Sequence, residues 1–205
     1  MDVDSLRLRK RIAREAASLL YFGVEKEYKQ AKLEAAKIVK SKFLPTNFEV
    51  ALELDEIAEE NEASVRKERL IQMRKEALKL MQVLKAYKPL LIGSVWRGTI
   101  YYDSDVDIVA YHDEPEDILK ILNQNHLKIT RAEWVTVTKK GKSKKSFHVY
   151  AQLPVNEKAE IKIVPSLEIS KKEKCEIYGD EIIGLSLQKL EKLLKENPTQ
   201  RFVPS

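Results

Sequence analysis

The spacing of apolar residues in this chain changes near residue 88. Over residues 5–87 they recur every three or four positions with lysine and arginine between them, which is typical of amphipathic helices. After Pro89 they fall into short runs, which are typical of strands. The 205 residues suffice for one domain with an appendage or for two small domains. We predict an all-helical N-terminal region over residues 1–88, packed on a mixed α+β domain over residues 89–205.

Turn and cap residues divide the helical region. Gly23 predicts a break after the first helix. Thr46 and Glu49 have the capping-box spacing, in which a hydroxyl and a glutamate three residues later satisfy free amides, and we expect a third helix over residues 47–60. Ser64 is expected to cap a fourth helix, which Pro89 ends.

The second region alternates strands with two short helices. The predicted helices are amphipathic and cover residues 116–124 and 186–196. The predicted strands are short and β-rich, and they cover residues 90–92, 106–110, 129–138, 147–153 and 159–164. The third and fourth of these strands are joined by a lysine-rich segment and are expected to form a hairpin.

Composition limits the classes of protein to consider. The net charge of +5 and the pI near 9.0 permit a polyanionic partner such as RNA or a nucleotide, but do not require one. Cys175 is the only cysteine, so an internal disulfide is excluded and no cysteine pair is present to bind a metal. No stretch approaches the roughly 20 apolar residues that a membrane helix needs. We therefore expect a soluble, cytoplasmic protein.

Two aspartates, Asp105 and Asp107, stand one residue apart among apolar neighbours. Residues two apart on a strand point to the same face, so their carboxylates would repel each other unless a cation lay between them. Mg²⁺ prefers oxygen ligands, often one or two carboxylates together with substrate phosphates. This pattern predicts a metal site, and the alternative is an ordinary surface strand.

A glycine and a serine, Gly93 and Ser94, follow the first predicted strand. A strand that ends in Gly-Ser and enters a short turn exposes backbone amides, which can bind phosphate. The hydroxyl of Ser94 adds a donor, and Arg97 could bind a phosphate with two parallel hydrogen bonds. Such a phosphate site followed by paired carboxylates is what chemistry on a nucleotide requires.

The order Gly-Ser, ten residues, then Asp-x-Asp resembles the signature of the nucleotidyltransferase superfamily that includes DNA polymerase β. The fuller string looks most like the minimal nucleotidyltransferases of archaea and bacteria, and it reads Gly93-Ser94-Val95-Trp96-Arg97-Gly98 and then Ser104-Asp105-Val106-Asp107-Ile108. The helices before it are similar to those of archaeal members. The resemblance implies a palm-like domain over residues 89–205: a small mixed β-sheet with flanking helices.

The resemblance also implies a substrate, cofactors and site residues. The substrate would be a nucleoside triphosphate (NTP), and two Mg²⁺ ions would bridge its phosphates and three carboxylates. Two of the three would come from Asp105 and Asp107. Nucleotide contacts are expected from Gly93, Ser94, Arg97, Ser104 and Lys162.

The third carboxylate departs from the family pattern. In the matching string, Ile161-Lys162-Ile163-Val164-Pro165, the expected acid is replaced by Lys162. Glu160 lies two residues earlier on the same strand face, and we predict that it is the third metal ligand. Alternatively the metal site is incomplete, and Lys162 neutralises Asp105 or Asp107 in place of a metal.

Two further sets of residues have simple alternatives. The lysines of the hairpin could contact the phosphates of RNA or form a solvated tip, and they are Lys139, Lys140, Lys142, Lys144 and Lys145. The three histidines lack metal-ligand spacing and are expected at the surface or in structural roles, and they are His112, His126 and His148.

The predicted function is Mg²⁺-dependent transfer of a nucleoside monophosphate (NMP) from an NTP to an acceptor hydroxyl, with release of pyrophosphate. The acceptor would be an RNA end, a protein side chain or a small molecule. One alternative is a catalytically weak or inactive nucleotide- or RNA-binding module. Another is an antitoxin that neutralises a helical toxin by transferring AMP to it.

Overall fold

The computed structural model of the protein describes residues 3–139, 142–154 and 156–204. The first elements are helices: α1 (Val3–Tyr21), α2 (Tyr28–Ile38), α3 (Asn47–Val83) and a 3-10 turn (Lys85–Tyr87). The predicted capping box opens α3, since Glu49 N donates to Thr46 Oγ1 at 3.2 Å and Thr46 N donates to Glu49 Oε2 at 2.6 Å. No helix among the described residues is long and apolar enough to cross a membrane.

The predicted third and fourth helices are joined end to end in α3. Ala63 interrupts the helix, with φ 46° and ψ −124°, and helical geometry resumes after it. Residues before the interruption pack against α1 and α2, and they include Val50, Leu54 and Ile57. Residues after it pack in the core of the sheet, and they include Leu70, Met73, Leu80 and Met81. One helix therefore contributes to two hydrophobic clusters, while the division into domains at residue 88 stays a prediction.

The remaining elements follow the predicted alternation. They are β1 (Leu90–Ile92), α4 (Gly93–Arg97), β2 (Val106–Tyr111), α5 (Pro115–Gln124), β3 (Lys128–Lys139), β4 (Lys142–Gln152), β5 (Lys158–Val164), a 3-10 turn (Ser166–Ser170), β6 (Leu185–Ser186) and α6 (Leu187–Glu196). The two-residue strand β6 was not predicted. Its backbone pairs with β1 although its length gives no sequence pattern.

The strands form one six-stranded sheet in the order β3-β4-β5-β2-β1-β6. Strands β2 and β5 are parallel, and the other neighbouring pairs are antiparallel. The mixed sheet with flanking helices confirms the predicted α+β fold class.

The two faces of the sheet differ in chemistry. Ile108 of β2 and Ile161 of β5 are buried in the same apolar cluster as residues of α3, α5 and α6. Because successive residues of a strand alternate between faces, Asp107 and Glu160 point to the opposite face. The candidate site lies on that second face.

Candidate active site

Three carboxylates meet on the second face of the sheet. Asp105 immediately precedes β2, Asp107 lies within it, and Glu160 is the residue directly opposite Asp107 on β5. One carboxylate oxygen from each lies within 4.8 Å of the other two. Among the described residues this is the only group of three or more histidines, cysteines or acids that could hold a metal ion. The structure therefore brings together the residues predicted as metal ligands, and their roles stay predictions.

The cluster concentrates negative charge on three half-buried side chains. Burial, and then repulsion by Asp105 and Glu160, holds the pKa of Asp107 well above its ordinary value. Burial also raises the pKa of Asp105, together with repulsion by Glu160, against an opposing backbone hydrogen bond and the attraction of Lys158. A divalent cation bound among the three oxygens would remove this repulsion, so the donor set fits a hard metal such as Mg²⁺.

The Gly-Ser turn touches this cluster. Ile92, the last residue of β1, is directly opposite Asp107, and α4 begins at Gly93. Gly93 has φ +70°, and a Cβ atom there would lie 2.0 Å from Asp107 Oδ2. The turn and the carboxylate can approach this closely only because residue 93 has no side chain.

A cavity of about 340 Å³ connects the turn and the aspartates with the helical region. Its volume lies within the usual range for small-molecule sites, about 300–1,000 Å³. Its lining includes Gly93, Ser94, Ser104, Asp105 and Asp107. It also includes residues of the helical region and of the segment before β6, among them Leu20, Lys26, Tyr28, Leu54, Ile177 and Tyr178.

Two tyrosines, Tyr28 and Tyr178, are among the residues that line the cavity. Burial raises the pKa of both Tyr28 and Tyr178, so both hydroxyls stay protonated at neutral pH. Tyr178 also exchanges a side-chain hydrogen bond with Thr99. An apolar cavity with a few fixed hydroxyls suits a planar polar ligand such as a nucleobase.

The predicted phosphate ligand Arg97 is held inside the protein. Its guanidinium donates to the two carboxylate oxygens of Asp180 at 2.6 and 3.1 Å, and to Phe202 O at 3.0 Å. It lies between the rings of Trp96 and Tyr178, at 4.4 and 4.3 Å from their centroids. These contacts give Arg97 a structural role beside the cavity, and a contact with phosphate stays a prediction.

Sequence reasoning missed Arg69 of α3, which fixes the loop before the aspartates. It donates to Tyr101 O at 2.7 Å and to Ser104 O at 3.1 Å, and it forms two hydrogen bonds with Glu157 at 2.8 and 2.6 Å. Ser104 Oγ in turn accepts from Tyr101 N at 2.9 Å. Ser104 therefore shapes the loop that presents Asp105.

Two more arginines of α3 donate to backbone carbonyls between β1 and β2, Arg66 to the loop and Arg74 to α4. Arg66 Nε donates to Ile100 O at 2.6 Å. Arg74, which is fully buried, donates to Val95 O at 3.0 Å and to Trp96 O at 2.9 Å. Backbone carbonyls leave no trace in a sequence, so the available signal was an arginine on the apolar side of a predicted helix.

Glu160 is held by a histidine that was predicted to be at the surface or structural. His148 Nδ1 is hydrogen-bonded to Glu160 Oε1, and His148 Nε2 lies 2.7 Å from Ser146 Oγ. An ionised carboxylate can only accept, so Nδ1 carries the hydrogen, and in the neutral ring Nε2 accepts from the serine. The hydrogen bonds from Ser146 through His148 hold the carboxylate of Glu160 in position beside the other two acids.

The predicted cations lie elsewhere on the same face. Lys162 Nζ is 3.9 Å from Glu173 Oε2, and neither aspartate of the cluster is among its ion-pair partners. Lys144 pairs with Glu168 at 2.5 Å and with Glu173. Lys140 lies outside the described residues, as do the side chains of Lys139 and Lys142. Contact between the hairpin lysines and RNA stays a prediction.

Comparison with known proteins gives distant structural similarity. The sequence matches no protein-family model and no curated protein. Two solved structures are similar to the chain: a cytoplasmic RNA terminal U-transferase and the Cid1 poly(U) polymerase with MgGTP bound. For the first the identity is 14%, the TM-score 0.34, and the match covers 60% of this chain and 36% of that one. For the second the identity is 15%, the TM-score 0.33, and the match covers 57% of this chain and 39% of that one.

The chain spans less than two-fifths of the length of either enzyme. Similarity at this level assigns no activity to the chain. The finer resemblance to minimal archaeal nucleotidyltransferases stays a prediction.

Proposed function

We propose that the protein is a Mg²⁺-dependent nucleotidyltransferase that moves an NMP from an NTP to an acceptor hydroxyl and releases pyrophosphate. The observation that carries this proposal is that Gly93 and Ser94 of the turn line the same cavity as Asp105 and Asp107. Glu160 completes the acid cluster from the neighbouring strand.

The turn would bind the triphosphate. Gly93 and Ser94 open a short helix whose first amides have no partner within the helix, and they line the cavity beside Asp107. Backbone amides of this kind hydrogen-bond phosphate oxygens. The contact between Gly93 and Asp107 would keep the phosphates next to the carboxylates.

The three acids would hold the metal. Asp105, Asp107 and Glu160 offer oxygen ligands close enough to share a cation, and they repel one another without one. When bound, Mg²⁺ would neutralise the α-phosphate and assist ionisation of the acceptor hydroxyl. The contribution of the chain is to fix the carboxylates through His148 and through the loop that Arg69 holds.

The part of the cavity that the helical region and the segment before β6 line would hold the nucleoside. Leu20, Leu54 and Ile177 supply apolar walls, while the hydroxyls of Tyr28 and Tyr178 supply hydrogen bonds to a base or ribose. In this proposal the helical region forms part of the substrate pocket.

The position of Lys162 supports catalysis over the inactive alternative. In the inactive alternative, Lys162 neutralises Asp105 or Asp107 in place of a metal. Lys162 Nζ instead lies 3.9 Å from Glu173 Oε2, and neither aspartate is an ion-pair partner of Lys162. The acid cluster is therefore left for an exchangeable cation.

The test uses purified protein, Mg²⁺ and each of the four NTPs labelled at the α-phosphate. A mixture of single-stranded RNA, small hydroxyl compounds and proteins serves as acceptor. We expect label transfer by the wild type and its loss in the Asp105→Asn/Asp107→Asn variant. Asp117→Asn is the control, since it removes an exposed acid of α5. If Mg²⁺ and NTP bind but no acceptor is labelled, the protein is a binding module and the proposal is wrong.

A further inference from the structure

A row of residues runs across the second face of the sheet from the phosphate-binding turn to the outer hairpin. Ile92 is opposite Asp107, Asp107 is opposite Glu160, Glu160 is opposite Tyr150, and Tyr150 is opposite Arg131. Directly opposed residues on neighbouring strands share a face, and neighbouring strands are about 4.8 Å apart. The acid cluster is thus continued on its β5 side by a tyrosine and then an arginine.

The in-line geometry of phosphoryl transfer determines from which side of the acid cluster the acceptor approaches. In phosphoryl transfer the attacking oxygen and the leaving oxygen lie roughly in line on opposite sides of the phosphorus. The proposed triphosphate site, at Gly93 and Ser94, is on the β1 side of Asp107. Pyrophosphate would leave toward that side, so the acceptor must approach from the opposite side, over Glu160.

Tyr150 and Arg131 form a stacked pair on the approach side. The guanidinium carbon of Arg131 lies 4.1 Å from the centre of the Tyr150 ring. The side chain of Arg131 is 58% exposed. Arg131 Nη2 also pairs with Glu133 Oε1 at 3.2 Å, and the side chain of Glu133 is itself 44% exposed. A planar cation with one face on a ring can stack on a nucleobase with its other face and also attract phosphate.

We propose that Tyr150 and Arg131 bind the terminal nucleotide of a single-stranded nucleic acid, whose terminal hydroxyl is the acceptor. This proposal rests on the proposed function. The base stacks on the pair, one to two strand spacings from Glu160, and the ribose hydroxyl reaches the acid cluster. Its oxygen bonds to the α-phosphorus, the bond from that phosphorus to the bridging oxygen breaks, and pyrophosphate leaves with the electron pair. The hydroxyl proton passes to a cluster carboxylate and then to water.

A nucleic-acid end fits this surface better than a serine or threonine side chain does. A nucleotide carries a planar base beside its hydroxyl and phosphates that are attracted to Arg131. A serine or threonine hydroxyl carries neither group, so the stacked pair would remain unused.

The test measures binding of a fluorescent single-stranded oligoribonucleotide with a free 3′ hydroxyl by anisotropy. We expect Tyr150→Ala and Arg131→Ala to weaken binding by about tenfold or more, since stacking is worth about 1–3 kcal/mol per base. Tyr150→Phe keeps the ring and removes only the hydroxyl, which is hydrogen-bonded to Arg131 and Glu160. Because stacking depends on the ring, binding by this variant should stay within about twofold of the wild type. Lys120→Ala is the control, because Lys120 is an exposed cation of α5, the helix that packs on the other face of the sheet.

Four outcomes overturn the inference: the wild type fails to bind the oligonucleotide, Tyr150→Ala binds as the wild type does, Arg131→Ala and Lys120→Ala weaken binding equally, or the label of an active enzyme goes only to protein. Thermal melting of each variant checks folding, and Arg131→Ala keeps the test decisive if Tyr150→Ala does not fold. Failure of the proposed function looks different. In that case the oligonucleotide binds with the expected variant pattern, but no NTP label is transferred to it.

Discussion

Gly93 and Asp107 share a space that has room for only one of their side chains. The carboxylate of Asp107 lies where the Cβ atom of residue 93 would begin, at 2.0 Å. The proposed phosphate site and the proposed metal site are therefore mechanically connected. A substitution in the turn should act on the metal ligand.

Gly93→Ala tests this connection. The new methyl group must push the carboxylate of Asp107 out of the acid cluster, so we expect transfer activity to fall by about 100-fold or more. Gly179→Ala is the matched control, because Gly179 also has positive φ (+76°) but has open space where a Cβ would be. Both variants should lose stability from backbone strain, on the order of 1 kcal/mol. Equal activity of the two variants would contradict the connection.

Asp107→Asn should stabilise the metal-free protein at neutral pH. The pKa of Asp107 is higher in the folded protein than in the unfolded chain, so the folded protein binds more protons in the interval between the two values. Stability therefore falls as the pH rises through that interval. We expect the Tm of the variant to exceed that of the wild type at pH 7 in EDTA, with the gap closing in acid.

Added Mg²⁺ should raise the Tm of the wild type above that of Asp107→Asn. Mg²⁺ binds the folded wild type and therefore raises its Tm. At a Mg²⁺ concentration one hundred times the Kd, the free energy of unfolding rises by about 2.7 kcal/mol. Mg²⁺ should have a much smaller effect on Asp107→Asn. Differential scanning calorimetry with and without Mg²⁺ checks both parts, and a wild-type Tm that ignores Mg²⁺ would count against the metal site.

Arg69→Met should loosen the loop that presents Asp105. The substitution leaves Glu157 without its cation and the carbonyls of Tyr101 and Ser104 without a donor. We expect a loss of about 2–4 kcal/mol of stability and reduced activity. Lys172→Met is the control, since it removes an exposed lysine whose partner, Glu181, is also exposed, and it should cost about 0–1 kcal/mol. Urea denaturation and transfer assays compare the two variants.

His148→Phe should release Glu160 from its orientation. The ring volume is kept while the hydrogen bond to Glu160 is lost. Changes to groups that orient metal ligands typically cost about 10–100-fold in metal affinity or activity. His148→Gln retains a donor and should recover part of the activity. Mg²⁺ titration of kcat distinguishes this role from a purely structural one, because only loss of ligand orientation raises the Mg²⁺ requirement.

The predictable part of the site is the part written in local sequence. Gly93, Ser94, Asp105 and Asp107 belong to one short stretch, and antiparallel pairing of its two strands brings them together. Glu160 required knowledge that its strand lies beside β2, which the family resemblance supplied. The parallel register then places Glu160 opposite Asp107.

The unpredicted part depends on contacts between distant segments. Arg69 and Arg74 bind backbone carbonyls, which every residue possesses, so no sequence pattern marks their partners. Arg97 has the chemistry of a phosphate ligand, but Asp180, 83 positions away, occupies its guanidinium. Residue type fixed what these side chains could bind, and tertiary packing decided what they do bind.

The interruption of α3 at Ala63 is the point from which the second half of the helix is oriented about its axis. Each helical residue turns the chain by about 100°, so inserting or deleting one residue after Ala63 would rotate the second half of α3 by that angle. Arg66, Arg69 and Arg74 would then face away from the segment between β1 and β2 whose carbonyls they bind. The number of residues between Ala63 and each arginine therefore determines the direction in which that arginine points. We expect this part of α3 to tolerate substitutions far better than insertions or deletions.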